Sequence, residues 1–162
     1  MSLRDALTYY FQTEVVGKPF LRFQRWRDES KIKKLHKREG HPLAPTLFHS
    51  ARMKEMMSLH YLKGRYANGV KKVAWVTSGA PVEVLIALDF TLIYPENHAA
   101  LCGARKMAVE ISGHAEDAGY SRDICSYVRT DIGSLLSGKT PVGRLPKPDL
   151  LLCCNNICQT VL

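Results

Sequence analysis

From residue 72 onward, short runs of aliphatic and β-branched residues alternate with longer amphipathic stretches, which restricts this half of the chain to βαβ units around a parallel sheet. Val73-Ala74-Trp75-Val76 reads as a buried strand, and Thr77-Ser78-Gly79-Ala80-Pro81 as a turn into a helix over about Val82 to Leu88. Pro81 suits a first helical turn. Phe90 to Tyr94 is a second strand closed by Pro95-Glu96-Asn97, followed by one long helix from Ala99 to Ala118 with Gly119 as its stop. Cys125 to Leu136 predicts a further helix, and the Gly/Pro-rich stretch Gly138 to Pro148 a surface connection. Leu150 to Leu152 is the third strand; after Cys153-Cys154-Asn155-Asn156 a new helix opens at Ile157 to Leu162. The expected fold is α/β, a Rossmann-like parallel sheet flanked by helices.

Residues 1–69 lack this alternation and read as a basic helical extension, leaving 70–162 as the first α/β domain. Breaks are expected at Gly17-Lys18-Pro19, Gly40-His41-Pro42 and Pro45. Ser50 reads as the N-cap of a helix whose core stripe is Met53, Met56, Met57, Leu59, Tyr61, Leu62 and Tyr66, ended by Asn68-Gly69. The final residues would leave a helix cut within two turns, and three strands make a small sheet with an open edge. The chain therefore reads as the N-terminal piece of a longer protein, incomplete C-terminally.

The net charge of +8 is carried by the front: residues 1–72 hold +10 and residues 73–162 hold −2. Such a segment suits an anionic cofactor such as coenzyme A or a nucleotide, an acidic partner subunit, or simply a solvated face. Nucleic acid is disfavoured: the run Lys31 to Arg38 interleaves apolar residues at helical spacing, without zinc-finger or RNA-recognition motifs. The start, Met1-Ser2-Leu3-Arg4-Asp5-Ala6, does not look like a secretory signal, and the apolar stretch Ala80 to Pro95 contains Glu83 and Asp89 and is too short to span a bilayer. A cytoplasmic protein off the membrane is expected, with five cysteines serving as thiols, metal ligands or redox groups.

Ligands in open parallel sheets collect at the carboxyl ends of the strands. Three segments fall there: Thr77 to Pro81, Tyr94 to His98, and Cys153 to Cys158. Cys153, Cys154 and Cys158 form the most unusual local feature, with Cys125 lying 33 residues before Cys158. A thiol at a helix start beside a strand end is favoured as thiolate, the ligand form. Cys-Cys-x-x-x-Cys matches neither zinc-ribbon nor ferredoxin spacing, so spacing alone leaves metal binding and core packing both open. Cys102 and Cys153 read as small apolar core residues. Glu96 is a general acid/base or a helix-start carboxylate, and Ser78 a ligand group or a turn residue. There is no Gly-x-Ser-x-Gly elbow, no Gly-x-Gly-x-x-Gly and no Gly-Lys-Ser/Thr motif, and His49, His60, His98 and His114 have no ligand-like spacing.

Gly79-Ala80-Pro81-Val82-Glu83, Tyr94-Pro95-Glu96-Asn97, Gly119-Tyr120-Ser121, Ile124-Cys125-Ser126-Tyr127 and the tract from Leu145 through Cys158 resemble the benzoyl-CoA reductase and 2-hydroxyacyl-CoA dehydratase family, over roughly residues 70–162. Within it, the likeness leans to the reductase subunits of the B type. The resemblance implies a [4Fe-4S] cluster held by three cysteines, with one iron open. Cys125 resembles the first ligand and Cys158 the second, with Cys154 as the alternative second; the third would lie beyond Leu162. Ser78 resembles the hydroxyl residue near the open iron, and Glu96 the pocket carboxylate. The resemblance also implies a homologous cluster-bearing partner subunit, an activator subunit that hydrolyses ATP, and an aromatic acyl-CoA substrate. The leading expectation is thus a subunit for ATP-dependent reductive dearomatisation of benzoyl-CoA in anaerobic catabolism. Its alternatives are dehydration of a 2-hydroxyacyl-CoA and a non-catalytic assembly subunit whose cysteines are inert.

Overall fold

In the computed structural model, residues 2–40, 43 and 45–154 are described. The chain divides into two compact units, residues 1–70 and 71–162.

The first unit is helical: α1 (Leu3–Tyr10), a π-helical stretch (Phe11–Gly17), α2 (Lys18–Glu39) and α3 (Pro45–Arg65). The break expected at Gly17-Lys18-Pro19 does not occur. The Lys18 amide reaches back five residues to the Thr13 carbonyl, closing a widened turn just before Pro19, which has no N–H to place. Gly17 has ordinary helical dihedrals and serves close approach, since a Cβ there would lie 2.1 Å from Leu62 Cδ2 and 2.6 Å from the Gln12 carbonyl oxygen. The helix stops at Gly40, whose φ of +66° is the left-handed cap conformation. α3 starts at Pro45, and Ser50 is no N-cap: its hydroxyl donates to the Thr46 carbonyl one turn back. Nor do the methionines form the core stripe. Met53 and Met56 are exposed, while Ala51, Glu55, Tyr61 and Gly64 are the buried positions of α3. Burial works to raise the pKa of Glu55, but ion pairs of 2.6 Å with both Arg52 and Arg25 hold it below the usual carboxylate range, tying α3 to α2.

The second unit runs β1 (Val73–Val76), α4 (Glu83–Ala87), β2 (Thr91–Ile93), α5 (Pro95–Ala104), α6 (Ala108–Asp117), α7 (Ser126–Ser137) and β3 (Leu150–Leu152). The expected parallel sheet flanked by helices is present. Its order is β2-β1-β3, with Val73 opposite Thr91 on one side and Ala74 opposite Leu150 on the other. β1 is central, so Val73, Ala74 and Val76 are fully buried, and Ala74, Val76, Leu85 and Leu92 form the core beneath the sheet. Apolar residues on both faces are what a covered parallel strand needs.

The long helix expected over 99–118 is two helices. Lys106, with φ +58°, turns the chain between them: its amide donates to the Gly103 carbonyl and the Met107 amide to that of Cys102. This paired reversal is the Schellman motif. It recurs after α4 around Asp89 (φ +57°) and after α6 around Gly119 (φ +94°), where Tyr120 N–H bonds the Ala115 carbonyl. Splitting the helix folds α6 back so that both α5 and α6 pack on α7. Among the described residues, no helix is long and apolar enough to cross a membrane.

Asp149 fixes β3 against β1. Its carboxylate accepts the Val73 amide at 2.8 Å and pairs with Lys72 at 3.3 Å, while its own amide donates to the Val73 carbonyl. The Val73 amide bond, with help from Lys72, holds its pKa below the usual carboxylate range. A carboxyl with a depressed folded-state pKa contributes stability that is complete above its unfolded pKa, near 3.9, and is lost as pH falls through the folded value. Unfolding midpoints followed below about pH 4 are therefore expected to fall less steeply in Asp149→Asn than in the native chain, and identical acid slopes would refute this role.

Candidate functional site

Three strands that end side by side bring their following residues to one edge of the sheet. β1 passes into Thr77 and Ser78, β2 into Tyr94 and the first turn of α5, and β3 into Cys153 and Cys154. The Ser78 amide donates to both carboxylate oxygens of Glu96, at 3.1 and 3.3 Å. The two residues named from the sequence, 18 apart, are thus in direct contact. Glu96 acts here as an acceptor for a loop amide and also carries negative charge at the N-terminal end of α5, where the helix dipole favours it.

Cys154 joins them. Its amide donates to Thr77 Oγ1 at 3.0 Å, its thiol lies 3.8 Å from that hydroxyl, and the thiol donates to the Ser78 carbonyl at 3.5 Å. The Thr77 amide in turn donates to the Leu152 carbonyl, which extends the β1–β3 ladder to the site's edge. Thr77, buried beneath these contacts, was not singled out from the sequence; its position at the end of a strand, facing a cysteine, was the available signal. Cys153 is exposed, correcting its expected place in the core, because the chain alternates sides as it leaves β3 and turns the neighbouring Cys154 toward Thr77.

Cys125 is the exposed N-cap residue of α7. α7 runs parallel to α5: His98 meets Asp131 through Nδ1 and Oδ1 at 2.7 Å, and one turn on in each helix Cys102 meets Ser134. Both helices therefore begin at the carboxyl edge of the sheet. Cys125 lies six residues before Asp131 and Glu96 two before His98. Cys102 is fully buried, as expected, with its thiol pKa pushed up by burial. Cys158 lies outside the described residues, as does the helix expected at 157–162.

The donor chemistry at this edge fits an iron-sulfur group, since accessible thiols at strand and helix ends are the ligands such clusters take. Among the described residues, no three His, Cys, Asp or Glu side chains converge closely enough to hold a metal ion. Cys125 and Cys153 are exposed and Cys154 is half-buried, each at the end of an element, and of the two that follow β3 it is Cys154 that bonds Thr77 and Ser78.

The sequence profile described as 2-hydroxyglutaryl-CoA dehydratase, D-component, matches residues 77–162, and the chain belongs to that family. Ser78, Glu96, Cys125 and Cys154 all lie in the matched segment. Over 107 residues the chain is 43% identical to the (R)-2-hydroxyisocaproyl-CoA dehydratase alpha subunit of Clostridioides difficile, covering 62% of this chain and 26% of that subunit. It is 39% identical over 92 residues to the (R)-phenyllactyl-CoA dehydratase alpha subunit of Clostridium sporogenes, covering 57% and 23%. With the B-type subunit of benzoyl-CoA reductase from Thauera aromatica it shares 35% over 115 residues, covering 68% and 27%. The chain thus spans about a quarter of the length of these relatives. Identity is higher to both of these dehydratase subunits than to the reductase subunit toward which the sequence leaned.

Proposed function

We propose that the chain contributes the substrate edge and part of the [4Fe-4S] site of a cytoplasmic 2-hydroxyacyl-CoA dehydratase subunit. The observation that carries this is the contact of Ser78 with Glu96 beside Cys154, at the carboxyl edge of a sheet within the family-matched segment. The identities of 43% and 39% to dehydratase subunits favour dehydration over dearomatisation, reversing the order taken from the sequence. Benzoyl-CoA reduction is the second reading, supported by the 35% identity to a reductase subunit.

In this reading Cys125 and either Cys158 or Cys154 hold the cluster, whose open iron would supply a Lewis-acidic position and one-electron chemistry when bound. The bonds that join Cys154 to Thr77 and Ser78 support it as a ligand, or as a neighbour that shapes the ligand loop. Ser78 offers its exposed hydroxyl to the acyl-thioester oxygen. Glu96, oriented by the Ser78 amide, holds or moves a proton on the carbon chain as water is lost. The unlinked thiols Cys102, Cys125, Cys153 and Cys154 suit a reducing cytoplasm. A homologous partner subunit and an ATP-hydrolysing activator complete the assembly.

Anaerobic purification of the full-length protein with its partner, followed by iron and sulfide analysis and parallel assays on 2-hydroxyacyl-CoA esters and benzoyl-CoA, tests the proposal. Iron with dehydration of the 2-hydroxyacyl ester is expected. Iron with turnover of benzoyl-CoA alone would establish the second reading, and absence of iron would remove both in favour of an assembly role.

A further inference from the structure

His98, Asp131 and Cys102 form a buried polar group between α5 and α7. His98 is completely buried, Asp131 nearly so, and Cys102 is completely buried. The ring is held at both nitrogens: Nδ1 meets Asp131 Oδ1 at 2.7 Å and Nε2 lies 3.7 Å from the Cys102 sulfur, one turn further along α5. Burial pushes the Asp131 carboxyl pKa up, His98 works against this, and the charge of Glu96 adds to the rise, so the pair lies within electrostatic reach of the site. Two well-packed aliphatic side chains would hold α5 and α7 together as well or better, because burying charge or polarity carries a large desolvation cost. What a polar pair adds is register, since the hydrogen bond forms at one relative position of the two helices whereas aliphatic contacts tolerate sliding.

That register matters because of where the helices begin. Two residues apart on a helix are about 200° apart around it, so Glu96 faces the Ser78 loop while His98 faces α7. The Ser78 amide is joined to Glu96, Glu96 to His98 through about half a turn of α5, His98 to Asp131, and Asp131 to Cys125 through less than two turns of α7. We infer that His98 and Asp131 are positioning residues, which lock the start of α5, bearing Glu96, against the start of α7, bearing Cys125, so that acid/base group and ligand keep a fixed separation. The functional side of this inference rests on the dehydratase reading; the coupling itself does not.

The test uses the full-length chain with its partner subunit. Asp131→Leu removes the acceptor at similar volume, and Asp131→Asn keeps an oxygen for His98. Thr130→Val is the structural control, cutting the adjacent buried hydroxyl bond to Ser112 on α6 while leaving α5 untouched. Asp131→Leu is expected to speed hydrogen exchange at the Ser78 amide by about fivefold or more and to lower kcat with little change in KM. Asp131→Asn should restore most of both, and Thr130→Val should move neither. Should Asp131→Leu fail to fold, Asp131→Ser is read in the same way. Unchanged Ser78 exchange in the Leu or Ser variant, or an equal rise in Thr130→Val, would overturn the inference. Glu96→Gln with undiminished turnover would instead count against the proposed function, while the exchange result would still decide the coupling.

Discussion

Replacing Gly133 with alanine is expected to destabilise the α/β unit by about 3 kcal/mol, the upper end of what an overpacked contact costs. A Cβ at this position would lie 1.9 Å from the Ile111 carbonyl oxygen, 2.8 Å from its carbonyl carbon and 3.2 Å from Ile111 Cγ2. The obstacle is main chain, which no side-chain rotation relieves, so α6 and α7 must move apart. Ile111, fully buried at the crossing, would lose packing, and the Ser112–Thr130 hydroxyl bond of 3.0 Å would stretch with it. Gly113, on α6 beside that crossing, is the matched control, because a Cβ added there would meet nothing within 4 Å. There alanine is expected to stabilise by about 0.5–1 kcal/mol through its better helix propensity. Thermal midpoints should therefore move in opposite directions, with Gly133→Ala down by about 6–12 °C for a chain of this size. A midpoint for Gly133→Ala within a degree of the native value would show that the helices do not cross as closely as described.

The second large effect is on metal content. Cys125→Ala and Cys158→Ala are each expected to reduce cluster iron in the anaerobically assembled enzyme to less than about a tenth, because a thiolate ligand is not replaceable by water without loss of affinity. Cys102→Ala should keep its iron. Its sulfur is sealed between α5 and α7 beside His98, so the change removes a small packed group and registers as lost stability rather than lost metal. Cys154→Ala separates the two candidates for the second ligand. Loss of iron there, with retention in Cys158→Ala, would transfer the ligand role to the thiol that bonds Ser78, whereas retention of iron in Cys125→Ala would remove the assignment altogether.

How much of this was legible in the sequence depends on whether the signal was local. The strands at 73–76 and 150–152 follow from short aliphatic runs bounded by polar turns, and β2 (Thr91–Ile93) occupies the middle of the expected 90–94. The division of the helix at 105–107 was invisible because its reversal is made by Lys106 in a conformation that usually announces itself through glycine, as at Gly119. Conversely, Gly17 and Pro19 suggested a stop where the chain remains helical, because a π turn absorbed the proline and the glycine answers to Leu62, 45 positions away. Ser78 and Glu96 could be named because both follow strands, Glu96 within a family motif and Ser78 immediately before one. Their contact, and that of Cys154 with Thr77, depends on strand order β2-β1-β3, which no local pattern encodes. His98 and Asp131, 33 residues apart, give no spacing signal at all; helix pairing alone makes them neighbours.

The strand order also sets a timetable. β1 finds its first partner quickly, since Val73 pairs with Thr91 only 18 positions later, but its other side waits for Leu150, which pairs with Ala74 76 positions later. At a synthesis rate of about 5–20 residues per second, that interval is roughly 4–15 s during which the most deeply buried strand of the unit is at best half matched. Helices α5, α6 and α7 are made within that wait, and their mutual packing shortens the span that the returning β3 must close. Within the α/β unit the helical layer is thus synthesised before the sheet can be completed, and the Thr77–Cys154 contact can form only after those helices have been made.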